Sequence, residues 1–126
     1  MRFLSMIRID ETLNQAPSER LLTDMQQLME EMTRNGSLIA TAGLTPSADG
    51  VRLRLRGGKI TATDGPFTEA KEVIGGYALF EAASKAEAIA IGRRFLEVHG
   101  EGWDIECEVR PLQDQGAGCG RVDCVE

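Results

Sequence analysis

The order of patterned segments predicts an α+β fold: a ferredoxin-like βαββαβ arrangement with an inserted β-hairpin. Three observations carry this prediction. Two stretches repeat apolar residues at intervals of three and four, the period of a helix. Each lies between segments that alternate or run apolar, as strands do. A further run, Val51 to Arg56, alternates aliphatic side chains with arginines and closes on Gly57-Gly58, a two-residue turn.

The elements follow in chain order. Residues 2–9 read as a strand with Phe3, Ser5, Ile7 and Ile9 on one face and Leu4, Met6 and Arg8 on the other. Apolar residues on both faces predict a central strand. Ser18 is the expected N-cap of a helix from Glu19 to Asn35. Leu21, Leu22, Met25, Leu28, Met29 and Met32 form its apolar stripe, and Gly36 stops it in the left-handed conformation. Residues 38–42 predict a short second strand. The hairpin 51–56 and 59–63 follows, with Arg52, Arg54 and Arg56 sharing one face. That face reads either as a solvated surface or as an anion-binding patch, with Arg54 at its centre.

Asp64-Gly65-Pro66-Phe67 predicts a tight turn, with Asp64 capping its own backbone and Gly65 supplying a positive φ. Thr68 to Val73 has fair helical propensity but is too short to stand alone. Gly75-Gly76 then opens a strand through Ala82, the pair marking a bulge or a close backbone approach. Ser84 with Glu87 forms a capping box, beginning a helix to Val98 with Ala88, Ile89, Gly92, Phe95 and Leu96 inward. His99, the single histidine, complements the dipole at that helix's end. Residues 103–110 alternate Trp103, Ile105, Cys107 and Val109 with charged side chains, a strand covered on one face, and Pro111 ends it or marks an edge. Residues 1–112 thus form one domain, and 113–126, with Cys119 and Cys124, read as a flexible tail.

Both helices belong on one sheet face. The other face has no element to cover it, although the first strand is apolar on both sides. A second copy of the chain is the most economical cover.

Composition narrows the function classes. The chain has 126 residues, with 20 Asp+Glu against 14 Lys+Arg, a formal charge of −6. That balance speaks against direct nucleic-acid binding, which depends on basic side chains meeting phosphates. One histidine and no paired-cysteine spacing predict no metal site, and no cofactor is expected. No apolar run approaches the length of a membrane helix, so no membrane association is expected and the cytoplasm is the expected compartment.

The run Asp64-Gly65-Pro66-Phe67-Thr68-Glu69-Ala70-Lys71-Glu72-Val73-Ile74-Gly75-Gly76-Tyr77 closely resembles the signature of the DGPF family, within the YCII-related group. The similarity extends over residues 1–112. It implies a dimeric α/β-barrel, in which two ferredoxin-like sheets pack face to face. Related YCII proteins use a His–Asp pair in a cleft, but here the one histidine closes the second helix. Ala42 and Thr45 also stand where DGPF relatives carry an acidic residue and a histidine. Many DGPF proteins are encoded beside extracytoplasmic-function sigma factors, which implies a sigma factor as a regulatory partner.

Two functions follow from these residues. In the first, the chain is a homodimeric small-ligand-binding or regulatory module. In the second, it is a small cofactor-independent enzyme using carboxylates and Tyr77 in a sheet cleft. Asp64 is then the candidate base, Glu69 and Tyr77 complete the acid–base set, and Lys71, Glu72, Phe67 and Arg54 are candidate ligand contacts. The structural alternative has Asp64 capping its turn, Glu69 pairing with Lys71, and Phe67 anchoring the segment to the core.

Overall fold

The N-terminal strand holds the middle of the sheet. In the computed structural model, which describes residues 1–113, β1 (Arg2–Ile9) lies between β5 (Val73–Glu81) and β6 (Glu106–Pro111). A further strand, β2 (Leu38–Gly43), completes the order β2-β5-β1-β6, with every neighbouring pair antiparallel. Helices α1 (Glu19–Arg34) and α2 (Lys85–His99) fill the two long connections, which gives the expected ferredoxin-like arrangement. Strands β3 (Val51–Arg56) and β4 (Lys59–Asp64) form a separate two-stranded sheet between β2 and β5. The expected tail lies, from residue 114 on, outside the described residues.

Local chemistry sets the element ends. The Ser18 hydroxyl accepts from Leu21 N at 3.1 Å, satisfying a free donor of the first turn of α1. Ser84 does the same for Glu87 N at 3.2 Å. The return arm of this capping box goes one residue further back, from Glu87 to Ala83 N. Gly57 and Gly58 both take positive φ, which a two-residue hairpin turn of this kind requires.

The core lies on the helix side. Phe3, Ala78 and Phe80 point from the central strands toward Leu28 and Met32 of α1 and Ala88 and Phe95 of α2. Phe3 stacks on Phe80, and Phe95 meets Phe80 edge-on, each with ring centroids 6.1 Å apart. Ser5 is the one buried polar residue of the central strands. Its hydroxyl donates to Ala78 O at 3.3 Å, which removes the cost of hiding it. Gly92 lets α2 approach β6: a Cβ there would stand 3.0 Å from Val109 and 3.7 Å from the Cys107 sulfur.

Several boundaries and faces differ from the sequence reading. Leu22 lies off the α1 stripe, 56% exposed. In α2 it is Ile91 that packs on the core, whereas Ile89 faces water. The last strand begins at Glu106 rather than Trp103, because β1 offers its final pairing partner at Arg8↔Glu106. Trp103 instead packs edge-on against His99, whose Nδ1 bonds Phe95 O at 2.7 Å. Residues 68–71 form turns and a bend, in keeping with a segment too short to stand alone as a helix. Strand β5 starts at Val73, so Gly75-Gly76 lies inside it. The bulge expected of that pair is present: Ile7 opposes Gly76 while Arg8 opposes Ile74, leaving Gly75 as the extra residue.

Phe80→Ala is expected to lower the unfolding free energy by about 3–5 kcal/mol in urea denaturation. Leu22→Ala should stay within about 0.5 kcal/mol of the parent, since its side chain faces water.

Candidate functional site

The signature segment forms the base of the β3–β4 hairpin. Gly65 N donates to Gly50 O at 2.9 Å, pairing the outgoing and returning chains. Gly65 does not take a positive φ; its constraint is space. A Cβ at this position would lie 1.7 Å from Ser47 O, a backbone atom that cannot turn aside. The Asp64 carboxylate makes no hydrogen bond or ion pair among the described residues, so it does not cap its turn. Ser47 performs that fastening. Its Oγ accepts from Phe67 N at 3.0 Å, and both its N–H and its hydroxyl donate to the Glu11 carboxylate. Those two bonds hold the Glu11 carboxyl below its ordinary range. A three-part latch therefore joins the loop after β1, the loop after β2 and the signature.

Phe67 is half-buried and receives Arg52 over its ring at 4.0 Å. Arg52 also pairs with Glu69. Glu69 was expected to pair with Lys71; the arginine wins because β3 places it beside the turn. Two shallow clefts flank this unit. One, of roughly 470 Å³, runs from the hairpin base to the end of the sheet, lined by Arg8, Arg52, Phe67, Glu72, Val73 and Ile74 among others. The other, of roughly 250 Å³, lies on the latch side and includes Glu11, Phe67 and Lys71. A third, of about 150 Å³, has Trp103 and Ile105 in its wall.

The structure thus gathers Phe67 with Glu72 in one cleft and Phe67 with Lys71 in its neighbour. Asp64, Glu69, Tyr77 and Arg54 line none of the three. Tyr77 lies on the sheet face opposite the helices, in register with Met6 and Ala42. Arg54 is exposed midway along the hairpin. Sequence reading passed over Arg8, which reaches across the open face to Glu108 at 2.9 Å and keeps its guanidinium firmly protonated. The signal was present: a basic residue following the apolar Leu4 and Met6 on the second face of the first strand. Glu11 and Ser47 left no comparable trace, because their partnership joins two loops. Among the described residues, no three of His, Cys, Asp and Glu gather in a way that could hold a metal ion. Nor is any described helix long and apolar enough to cross a membrane.

The profile of the YCII-related domain matches residues 1–104. The chain belongs to the YCII-related family. An uncharacterised protein of Rhizobium meliloti (strain 1021) is 32% identical over 107 residues, covering 82% of this chain and 85% of that protein. The match spans both the latch and the signature, so this YCII-related domain carries its clefts within the shared fold.

Gly65→Ala should cost about 2 kcal/mol or more in urea denaturation, since either Ser47 or the signature must move. Acid should loosen the latch. The lowered Glu11 carboxyl contributes stability in full above the ordinary carboxylate value of 4.5 and loses it as pH falls through the lower folded-state value. Glu31 and Glu81, held low by Arg94 and Arg2, act in the same direction. Thermal melts below pH 4.5 should therefore fall less steeply for Glu11→Gln, which still accepts from Ser47 but does not titrate.

Proposed function

We propose that this YCII-related domain is a homodimeric module that binds a small ligand, two copies meeting through their open sheet faces. The observation that supports this is the face itself. Leu4, Met6, Tyr77 and Leu79 stand side by side in register, half-buried, and no element covers them among the described residues. An apolar strip of this kind marks a contact site. Arg8 and Glu108 lie at one end of the strip and would border the interface.

The ligand site is the 470 Å³ cleft at the hairpin base, a volume suited to a small molecule. Phe67, Val73 and Ile74 offer it an apolar wall. Arg8, Arg52 and Glu72 supply charges at the rim, so an amphipathic ligand with one ionic end fits best. Arg8 is also on the open face, so a second copy seated there would narrow the mouth of the cleft. A sigma-factor partner would compete for the same apolar strip.

Light scattering after size exclusion should give about twice the chain mass of 13.7 kDa. Titration with a panel of small aromatic and aliphatic carboxylates should shift the amide resonances of residues 8, 73 and 74. Val73→Trp, which fills the cleft, should abolish those shifts while leaving the dimer intact. A monomer at micromolar concentration overturns the dimer, and unchanged shifts in Val73→Trp overturn the cleft. A one-to-one complex with a purified sigma factor that dissolves the dimer would replace this reading.

A further inference from the structure

The β3–β4 hairpin is exposed along its whole length, and its two faces differ in chemistry. Leu53 opposes Ala62 and Leu55 opposes Ile60, which puts Val51, Leu53, Leu55 and Ile60 on one face. Leu53, Leu55 and Ile60 are 70%, 71% and 69% exposed. Arg54 and Arg56 with Lys59 occupy the other face, beside Arg52. Arg52 is engaged by Glu69 and Phe67, but Arg54, Arg56 and Lys59 form no ion pair among the described residues.

Two features of this ribbon call for a covering layer. A two-stranded hairpin with neither face packed is marginal in water. Three large aliphatic side chains held in water on one face add an apolar patch with no intramolecular purpose. Charge then selects the occupant. Residues 51–63 hold four of the 14 basic side chains and none of the 20 acidic ones, leaving the rest of the chain at a formal −10. The surface that complements the ribbon is the body of the same protein, and a second copy presents it in equal number.

We propose that β3–β4 is a dimerisation arm. Its Leu53, Leu55 and Ile60 face lies on a second copy of the chain, and Arg54, Arg56 and Lys59, on the outer face of the ribbon, hold it there through longer-range attraction to that copy's acidic body. A two-fold axis makes each such contact twice, so a small arm gains two interfaces. The inference rests on the homodimer reading above but assigns part of the contact to a different element from the sheet face.

The test uses the full chain. Dimer dissociation constants are measured by sedimentation for the parent, for the double variant Leu53→Asp with Leu55→Asp, for Arg54→Glu with Arg56→Glu, and for the sheet-face variant Leu79→Asp. Circular dichroism checks folding, which the exposed arm positions should not disturb. Both arm variants should raise the dissociation constant at least tenfold, and added salt should weaken the parent dimer, since the charge attraction is screened. Amides of residues 51–63 should exchange more slowly as the parent is concentrated into dimer. Parent-like constants in both arm variants, or arm amides unprotected in the dimer, overturn the arm. If Leu79→Asp alone abolishes the dimer, the sheet-face reading stands without it. Monomeric arm variants beside a dimeric Leu79→Asp leave the arm standing and remove the sheet-face reading. A parent that is monomeric throughout overturns both.

Discussion

Phe80 is the contact on which the fold depends. It sits at zero exposure on β5, stacked on Phe3 of β1 and struck edge-on by Phe95 of α2. Three elements distant in sequence meet at one ring. Because Phe3 and Phe80 oppose each other in the sheet, this contact also fixes register. A one-residue slip of either strand would turn its ring away from the helices and break the stack. Everything on the opposite face follows from that choice, since Leu4, Met6, Tyr77 and Leu79 are then committed to the uncovered side. The core and the apolar strip are two consequences of one alignment.

The signature segment is first a piece of structural engineering. Its glycine is required by the Ser47 carbonyl, and its phenylalanine amide is held by the Ser47 hydroxyl. The ionisable residues around it divide between clefts and open surface, and do not form one acid–base cluster within the chain. This favours a binding surface over a centre built from Asp64, Glu69 and Tyr77. Phe67 is the exception, because it serves both purposes: it anchors the hairpin base and walls two clefts.

Helices, hairpin turn and sheet composition were legible because each is dictated by neighbours in sequence. Ser18 and Ser84 cap donors three residues away, and Gly57-Gly58 needs nothing beyond its own backbone. The start of β6 was not legible. Trp103 and Ile105 continue the alternation, but the pairing of β1 with β6 stops at Arg8↔Glu106, and a strand requires a partner as well as a pattern. The Glu11–Ser47 bond was hidden for a related reason: it joins two loops 36 residues apart. Lys71 as the partner of Glu69 was a choice by proximity along the chain, and Arg52 arrived by way of the hairpin. Arg8 was visible as an oddity of composition, although its partner on β6 was not.

The bulge at Gly75 has a consequence for how the cleft changes over time. Strands alternate their side chains between faces, so an inserted residue reverses the parity of everything before it. Here the reversal sets Ile74 opposite Arg8, on the cleft side, and Val73 opposite Ile9. The character of this wall is therefore governed by spacing as much as by residue type. Were the strand to pair straight through with Gly75 in the ladder, Gly75 would stand opposite Arg8 and Ile74 opposite Ile9, exchanging the faces of Val73 and Ile74 with the rest of the sheet left in place. Gain, loss or movement of the bulge in a chain of the same length, more than a change of residue type in the wall, is the step that would alter this cleft.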